Sequence, residues 1–164
     1  MPTLPAILKQ RLSRARRVAV LGIGSPLRGD DAAGVLAARD IAEKLKRASK
    51  PRLKVFIGET APENLTGPIK EYSPTHLIVL DAADTGNRPG HIELIEPDWI
   101  GTGASFSTHS LPVHVLIQYL HAHLKCDIIL LGIQPASCEF GLPVSRSVQR
   151  AIQRVSEMIC AACF

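Results

Sequence analysis

Apolar residues along this chain fall into short unbroken runs, separated by segments in which they recur every three or four positions. That is the pattern of buried strands alternating with amphipathic helices. Leu4 to Arg14 reads as a short leading helix. Arg17 to Gly24 (RVAVLGIG) is a continuous, β-branched run suited to a strand buried on both faces. After it, Asp30 or Asp31 reads as a helix cap, and Val35, Leu36, Ile41 and Leu45 form an apolar stripe at helical spacing. Arg52 to Gly58 is a second strand, and Pro62 to Tyr72 a weaker helix interrupted by Gly67 and Pro68. His76 to Ala82 (HLIVLDA) is the third buried strand, with Asp81 at its end. The turn-rich segment Asp84 to Gly90 is too short for a parallel crossover, so the fourth strand, His91 to Glu96, is expected to run antiparallel. Gly101 to Ser107 reads as a flexible loop, Leu111 to Leu124 as a helix, Cys126 to Ile133 as a fifth buried strand and Ser145 to Cys163 as a closing helix. The fold class that follows is α/β: a three-layer α/β/α sandwich on a mostly parallel, five-stranded sheet.

Length and composition narrow this picture. A chain of 164 residues predicts one domain, residues 1–164, in which residues 1–16 are a leading basic helix, and leaves no room for a separate cofactor module. With 46% hydrophobic and 21% charged residues, it is too apolar to be disordered. Its longest apolar runs, such as Val18 to Ile23, fall far short of the roughly 18 residues of a membrane span, so none is expected. The net charge of +4 owes much to Lys9, Arg11, Arg14, Arg16 and Arg17, a cluster without interleaved aromatics. It reads as a solvated helix face, and no nucleic-acid partner is expected. The start of the chain lacks the pattern of a secretory signal, which predicts a cytoplasmic location. Cys126, Cys138, Cys160 and Cys163 are expected to be reduced thiols; Cys160 and Cys163 have C-x-x-C spacing but no second ligand pair at zinc-finger distance.

Topology predicts where chemistry would sit. In open α/β sheets, ligands bind beyond the carboxyl ends of the strands, where strand order reverses. The commonest winding puts the first strand between the second and third, so that Gly29-Asp30-Asp31 and Asp81 meet at one mouth. The turn Gly22-Ile23-Gly24 invites a nucleotide reading, but the third glycine of G-x-G-x-x-G would fall at Leu27, and an Asp-Asp pair at a helix start repels pyrophosphate. Thr108-His109-Ser110 supplies an imidazole at a helix entry. Two carboxylates and His109 would make an N/O site with open positions for Ni, Zn or another divalent ion. His121 and His123, two apart on a helix, point in different directions. Neither a G-x-S-x-G elbow nor an H-E-x-x-H pair is present, and nothing local marks Cys138 as a nucleophile.

These residues carry a family resemblance. Leu21-Gly22-Ile23-Gly24-Ser25-Pro26-Leu27-Arg28-Gly29-Asp30-Asp31-Ala32-Ala33-Gly34 resembles the opening of the endopeptidases that mature nickel-iron hydrogenases. Thr60-Ala61-Pro62-Glu63-Asn64, Leu80-Asp81-Ala82-Ala83-Asp84, Pro89-Gly90, Thr108-His109-Ser110-Leu111-Pro112 and Leu131-Gly132-Ile133-Gln134-Pro135 follow in the family's order. The Ala-Pro-Glu-Asn and Gly-Ile-Gln-Pro segments look most like the branch that processes the hydrogenase-3 large subunit of formate hydrogenlyase.

The resemblance implies a phosphorylase/hydrolase-like mixed sheet of order 2-1-3-5-4 with the fourth strand antiparallel. It implies a hydrolase, a protease dependent on acidic residues, which removes a C-terminal extension from a nickel-iron hydrogenase large-subunit precursor once nickel is inserted. Asp31, Asp81 and His109 carry over as the nickel-contacting, catalytic positions, and the nickel is the precursor's, with no other cofactor tightly bound. The alternative is a non-catalytic metal-binding maturation chaperone on the same fold. Two departures stand out: Ser25 occupies a position where the family has Asn, and Glu59 replaces the second glycine of a Gly-Gly-Ser/Thr turn. The first is expected to alter loop hydrogen bonding, the second to add a carboxylate near the cleft.

Overall fold

A sheet of five long strands and one two-residue strand separates two layers of helices in the computed structural model, which describes residues 1–49, 52–96, 105–106 and 113–164. The strands are β1 (Val18–Ile23), β2 (Leu53–Glu59), β3 (His76–Asp84), β4 (Ile92–Ile95), β5 (Ser105–Phe106) and β6 (Asp127–Ile133). They lie in the order β2-β1-β3-β6-β4, with β5 paired to β3 beside this path. β1, β2, β3 and β6 pair in parallel, and β4 runs antiparallel to β6. Counting the long strands alone, this is the expected 2-1-3-5-4 sheet with its fourth strand reversed.

The helices are α1 (Leu4–Arg11), α2 (Ala33–Leu45), α3 (Thr66–Tyr72), α4 (Val113–His123) and α5 (Arg146–Cys163). Strand side chains alternate between faces, and the alternation sorts the core into two clusters. Val18, Val20, Ile78, Leu80, Ile129 and Leu131 pack with residues of α1, α2 and α5, Cys160 and Cys163 among them. Ala19, Leu21, Leu77, Val79, Ile128 and Leu130 pack with Ile69 of α3 and with Leu116, Ile117 and Leu120 of α4.

Several expectations need correction. Ser105–Phe106, read as part of a loop, is β5, which pairs with Ala83 and Asp84 because β3 runs two residues past Ala82. Two residues are too few to show a period. Pro62–Leu65 is a separate 3-10 turn, and Gly67 and Pro68 do not interrupt α3 but stand in its first turn, where a missing N–H leaves no helical bond unmade. The leading helix stops at Arg11, and the Ser13 hydroxyl donates to the Gln10 carbonyl at 2.7 Å. Nor is the basic cluster merely a solvated face. The guanidinium of Arg11 grips the Asp127 carboxylate, with Nε to Oδ2 at 2.9 Å, and donates to the Ile128 carbonyl at 3.1 Å. Arg11 thereby ties α1 to the start of β6, while Arg17 donates to the Ser73 carbonyl at 2.8 Å.

Candidate functional site

Close approach of backbone to backbone builds the mouth of the sheet. A Cβ on Gly34, in the first turn of α2, would stand 2.2 Å from the Leu80 carbonyl oxygen and 2.5 Å from that of Ile23. Only glycine lets the helix seat directly on the ends of β1 and β3. Gly24 adopts φ +136°, and a Cβ there would stand 1.8 Å from the Asp31 carbonyl oxygen. The loop after β1 therefore folds tightly around the 3-10 turn Gly29–Ala32 that carries both aspartates.

Asp31 is 1% exposed. Its Oδ2 accepts from the Ser25 backbone N–H at 2.9 Å, whereas its buried Oδ1 has no hydrogen-bond partner among the described residues. A buried carboxylate oxygen without a donor costs stability and in native proteins marks a water, an ion or a catalytic role. Asp81 is 0% exposed and continues the β3 row of Leu77 and Val79, on the face covered by α3 and α4. Its Oδ1 accepts from the Ala82 N–H at 2.9 Å. Electrostatics give a second sign that the two carboxylates share a mouth. The Cys138 thiol is pushed up to about 11, first by burial and then by the charges of Asp31, Asp30 and Asp81. Cys138 is therefore a neutral thiol at physiological pH, unlike an activated nucleophile.

Asp30 does different work from Asp31. Neither caps α2, whose N-cap is Ala32 without a side-chain bond. Instead Asp30 Oδ1 accepts from the Ser145 N–H at 2.7 Å, and Oδ2 accepts from the Ala136 N–H and the Ser145 hydroxyl, both at 2.8 Å. Its own N–H donates to the Ser137 carbonyl at 2.9 Å. One buried carboxylate thus locks the loop after β1 to the loop between β6 and α5, at the amino end of α5 where negative charge is favoured. Gln134 plays a similar part nearby: Oε1 accepts from the Thr85 N–H at 2.8 Å, and Nε2 donates to Asp84 Oδ1 at 3.1 Å. Both bridges escaped the sequence reading, because their ends lie far apart along the chain.

His109 lies outside the described residues, four positions before Val113, the first residue of α4. Among the described residues no three His, Cys, Asp or Glu come together as a metal-holding group. The two departures from the family pattern are accounted for locally. Ser25 keeps its N–H on Asp31, and its hydroxyl oxygen accepts from the Leu27 N–H at 3.3 Å. Glu59 sits at φ +51°, a conformation suited to glycine, and its carboxylate is taken by Arg39 of α2 at 2.9 Å on an exposed flank.

The comparisons with known proteins agree with this fold. The family model of the hydrogenase maturation proteases matches residues 40–162. The hydrogenase 3 maturation protease of Escherichia coli is 36% identical over 140 residues, which cover 85% of this chain and 86% of that protein. The crystal structure of the NiFe hydrogenase maturation protease HycI from Thermococcus kodakarensis superposes with a TM-score of 0.84 at 29% identity, over 96% of this chain and 98% of that one. The solution structure of the endopeptidase HycI from Escherichia coli gives a TM-score of 0.71 at 33% identity, over 86% and 87% of the two chains.

Proposed function

This chain belongs to the hydrogenase maturation protease family and is a peptidase, and from that premise we propose that it removes the C-terminal extension of a nickel-iron hydrogenase large-subunit precursor after nickel has been inserted. The observation that carries this reading is the unclaimed, buried Oδ1 of Asp31 at the mouth where β1 and β3 end. An oxygen held in place by the Ser25 contact on its partner atom, with no donor among the described residues, is poised to meet something the substrate brings.

That something is the precursor's nickel. Soft thiolates of the precursor hold the metal, and its open positions accept the harder donors Asp31, Asp81 and His109. Nickel is therefore part of the substrate, and the protein needs no tightly bound cofactor of its own. A precursor without nickel offers these groups nothing to bind, so metal loading gates cleavage. In the hydrolytic step, water adds to the scissile carbonyl carbon and gives up a proton, the C–N bond breaks, and the departing nitrogen takes a proton to leave as an amine. The products are a new C-terminal carboxylate and the released peptide. Two roles are open to the Asp31 oxygen: accepting the proton of the attacking water, or contacting the nickel while the metal polarises water or the carbonyl.

We take residues 1–164 as one maturation peptidase domain, supported by the burial of Leu8 and Leu12 in the core shared with α5. The four cysteines are free thiols, as a cytoplasmic setting would keep them, and no helix among the described residues is long and apolar enough to cross a membrane. The test is to incubate purified protein with nickel-loaded and nickel-free precursor and follow the mass of the large subunit. Shortening of the loaded form alone is expected. Shortening of neither refutes this substrate, and equal shortening of both refutes the metal gate. His109→Ala should abolish processing without lowering the melting temperature; full activity would remove His109 from the site.

A further inference from the structure

Beside the carboxylates, the structure leaves large apolar side chains in water. Leu27, Phe140 and Leu142 are 65%, 75% and 45% exposed. They come from two loops but form one patch: the Gly141 N–H donates to the Leu27 carbonyl at 2.9 Å, and a Cβ on Gly29 would stand 3.6 Å from Leu142 Cβ. Leu27 precedes Asp31 by four residues, and Asp30 fastens one loop to the other through Ala136 and Ser145. The patch is thus carried by the same locked pair of loops that places Asp31. None of these side chains belongs to the core, so the area they leave in water adds nothing to folding, and clustered exposed apolar groups mark contact surfaces.

We propose that Leu27, Phe140 and Leu142 are the surface on which an apolar segment of the polypeptide substrate, adjoining the scissile bond, docks. This rests on the peptidase reading above and names a second point of recognition besides the metal. The occupant is a polypeptide because the chain is a peptidase, and the patch stands on the two loops that Asp30, Arg28 and the Gly141 N–H cross-link beside Asp31. Since the Asp30 contacts already hold the two loops, docking orders little backbone, and the apolar contact is converted to affinity with a small entropic cost.

The experiment uses the full chain and the nickel-loaded large-subunit precursor. Leu27→Ser, Phe140→Ser and the double variant are compared with Phe164→Ser, which removes an exposed aromatic at the end of the chain. Each patch substitution is expected to raise KM about tenfold, and the pair about a hundredfold, with kcat within about twofold. Phe164→Ser should change neither constant, and melting temperatures should stay together because the side chains removed are exposed. Binding of the precursor is also measured directly by calorimetry. An unchanged KM and an unchanged Kd in the double variant overturn the docking surface while leaving the peptidase reading intact. If the wild-type chain fails to cleave, the peptidase reading falls, and the Kd comparison still decides the patch. A wild-type dimer in sedimentation that dissociates on Phe140→Ser overturns the proposal in favour of self-association.

Discussion

Asp30 and Asp31 are adjacent, buried and identical in chemistry, yet replacing each by Asn should have opposite consequences. Asp30 accepts three hydrogen bonds at 2.7 to 2.8 Å from groups about a hundred residues away. A hydrogen bond to a charged group contributes about 1.5–3 kcal/mol net, and an orphaned buried donor costs about 1–3 kcal/mol. Asn keeps one acceptor oxygen and turns an NH2 toward a donor, so Asp30→Asn loses at least one such bond and sets two donors against each other. A destabilisation of about 3 kcal/mol follows, or about 6–12 °C in melting temperature at this chain length. Among the described residues Asp31 makes one bond, from the Ser25 N–H, which the Asn carbonyl can keep, and its other oxygen is already without a partner there. Removing a buried charge offsets the buried amide, so Asp31→Asn should lie within about 1 kcal/mol of wild type.

Activity should divide the other way. Asp31→Asn is expected to lower processing of nickel-loaded precursor by at least about a hundredfold, the scale of a lost acid–base group, while Asp30→Asn retains turnover at temperatures well below its melting point. Urea titration monitored by circular dichroism gives the stability difference, and electrophoretic mobility of the large subunit gives the rate. Equal loss of stability in the two variants would refute the division of labour, as would wild-type processing by Asp31→Asn.

Other consequences follow from single positions. Gly34→Ala drives a methyl into the Leu80 and Ile23 carbonyls at 2.2 and 2.5 Å, so α2 has to move; a loss of about 3 kcal/mol or more in chemical denaturation is expected. Glu59→Asn relieves a left-handed backbone at φ +51° and gives up only an exposed pair with Arg39, which should raise the melting temperature by about 1–3 °C in calorimetry. Cys138, with its thiol pushed up to about 11, should resist iodoacetamide at pH 8 when the modified peptides are counted by mass spectrometry. Asp31→Asn should speed that alkylation by removing one of the charges that hold the proton on. The Gln134 hydrogen bond, then that of the Gly86 N–H, holds the Asp84 carboxyl below its ordinary 3.8. Its contribution to the loop is therefore present above the ordinary value and lost as pH falls through the depressed one. Gln134→Leu should bring the carboxyl back up in an NMR titration.

The layers of the fold were legible because burial on both faces of β1, β3 and β6 writes continuous apolar runs, and the short Asp84 to Gly90 connection forbids a parallel crossover. Topology then brought the Asp31 and Asp81 segments to one end of the sheet before any side chain was placed. The family resemblance picked Asp31 out of the pair, but nothing in the sequence showed what Asp30 holds together. Local rules favour a cap, since Asp before a helix ordinarily caps it, but the partners of Asp30 come from Ala136 and Ser145, and no local pattern reports contacts of that range. The same limit hid the patch: Leu27 reads as an ordinary loop residue until Gly141 is seen to bond to its carbonyl.

The cost of the site is concentrated, and so is its compensation. An Asp31 oxygen without a partner among the described residues weakens the folded state, three exposed apolar side chains forgo the stability that burial would give, and both stand on the loops after β1 and β6. Without a constraint, such loops would relax: Asp31 would turn toward water, and the apolar groups would collapse onto the sheet. Asp30 prevents this, since its three bonds fix the spacing of the loops and make movement of one require movement of the other. On the function proposed above the metal arrives with the substrate, so the charge that organises the carboxylates has to come from the chain. Asp30 supplies it, which on that reading is why a structural aspartate sits beside the one proposed to meet the substrate.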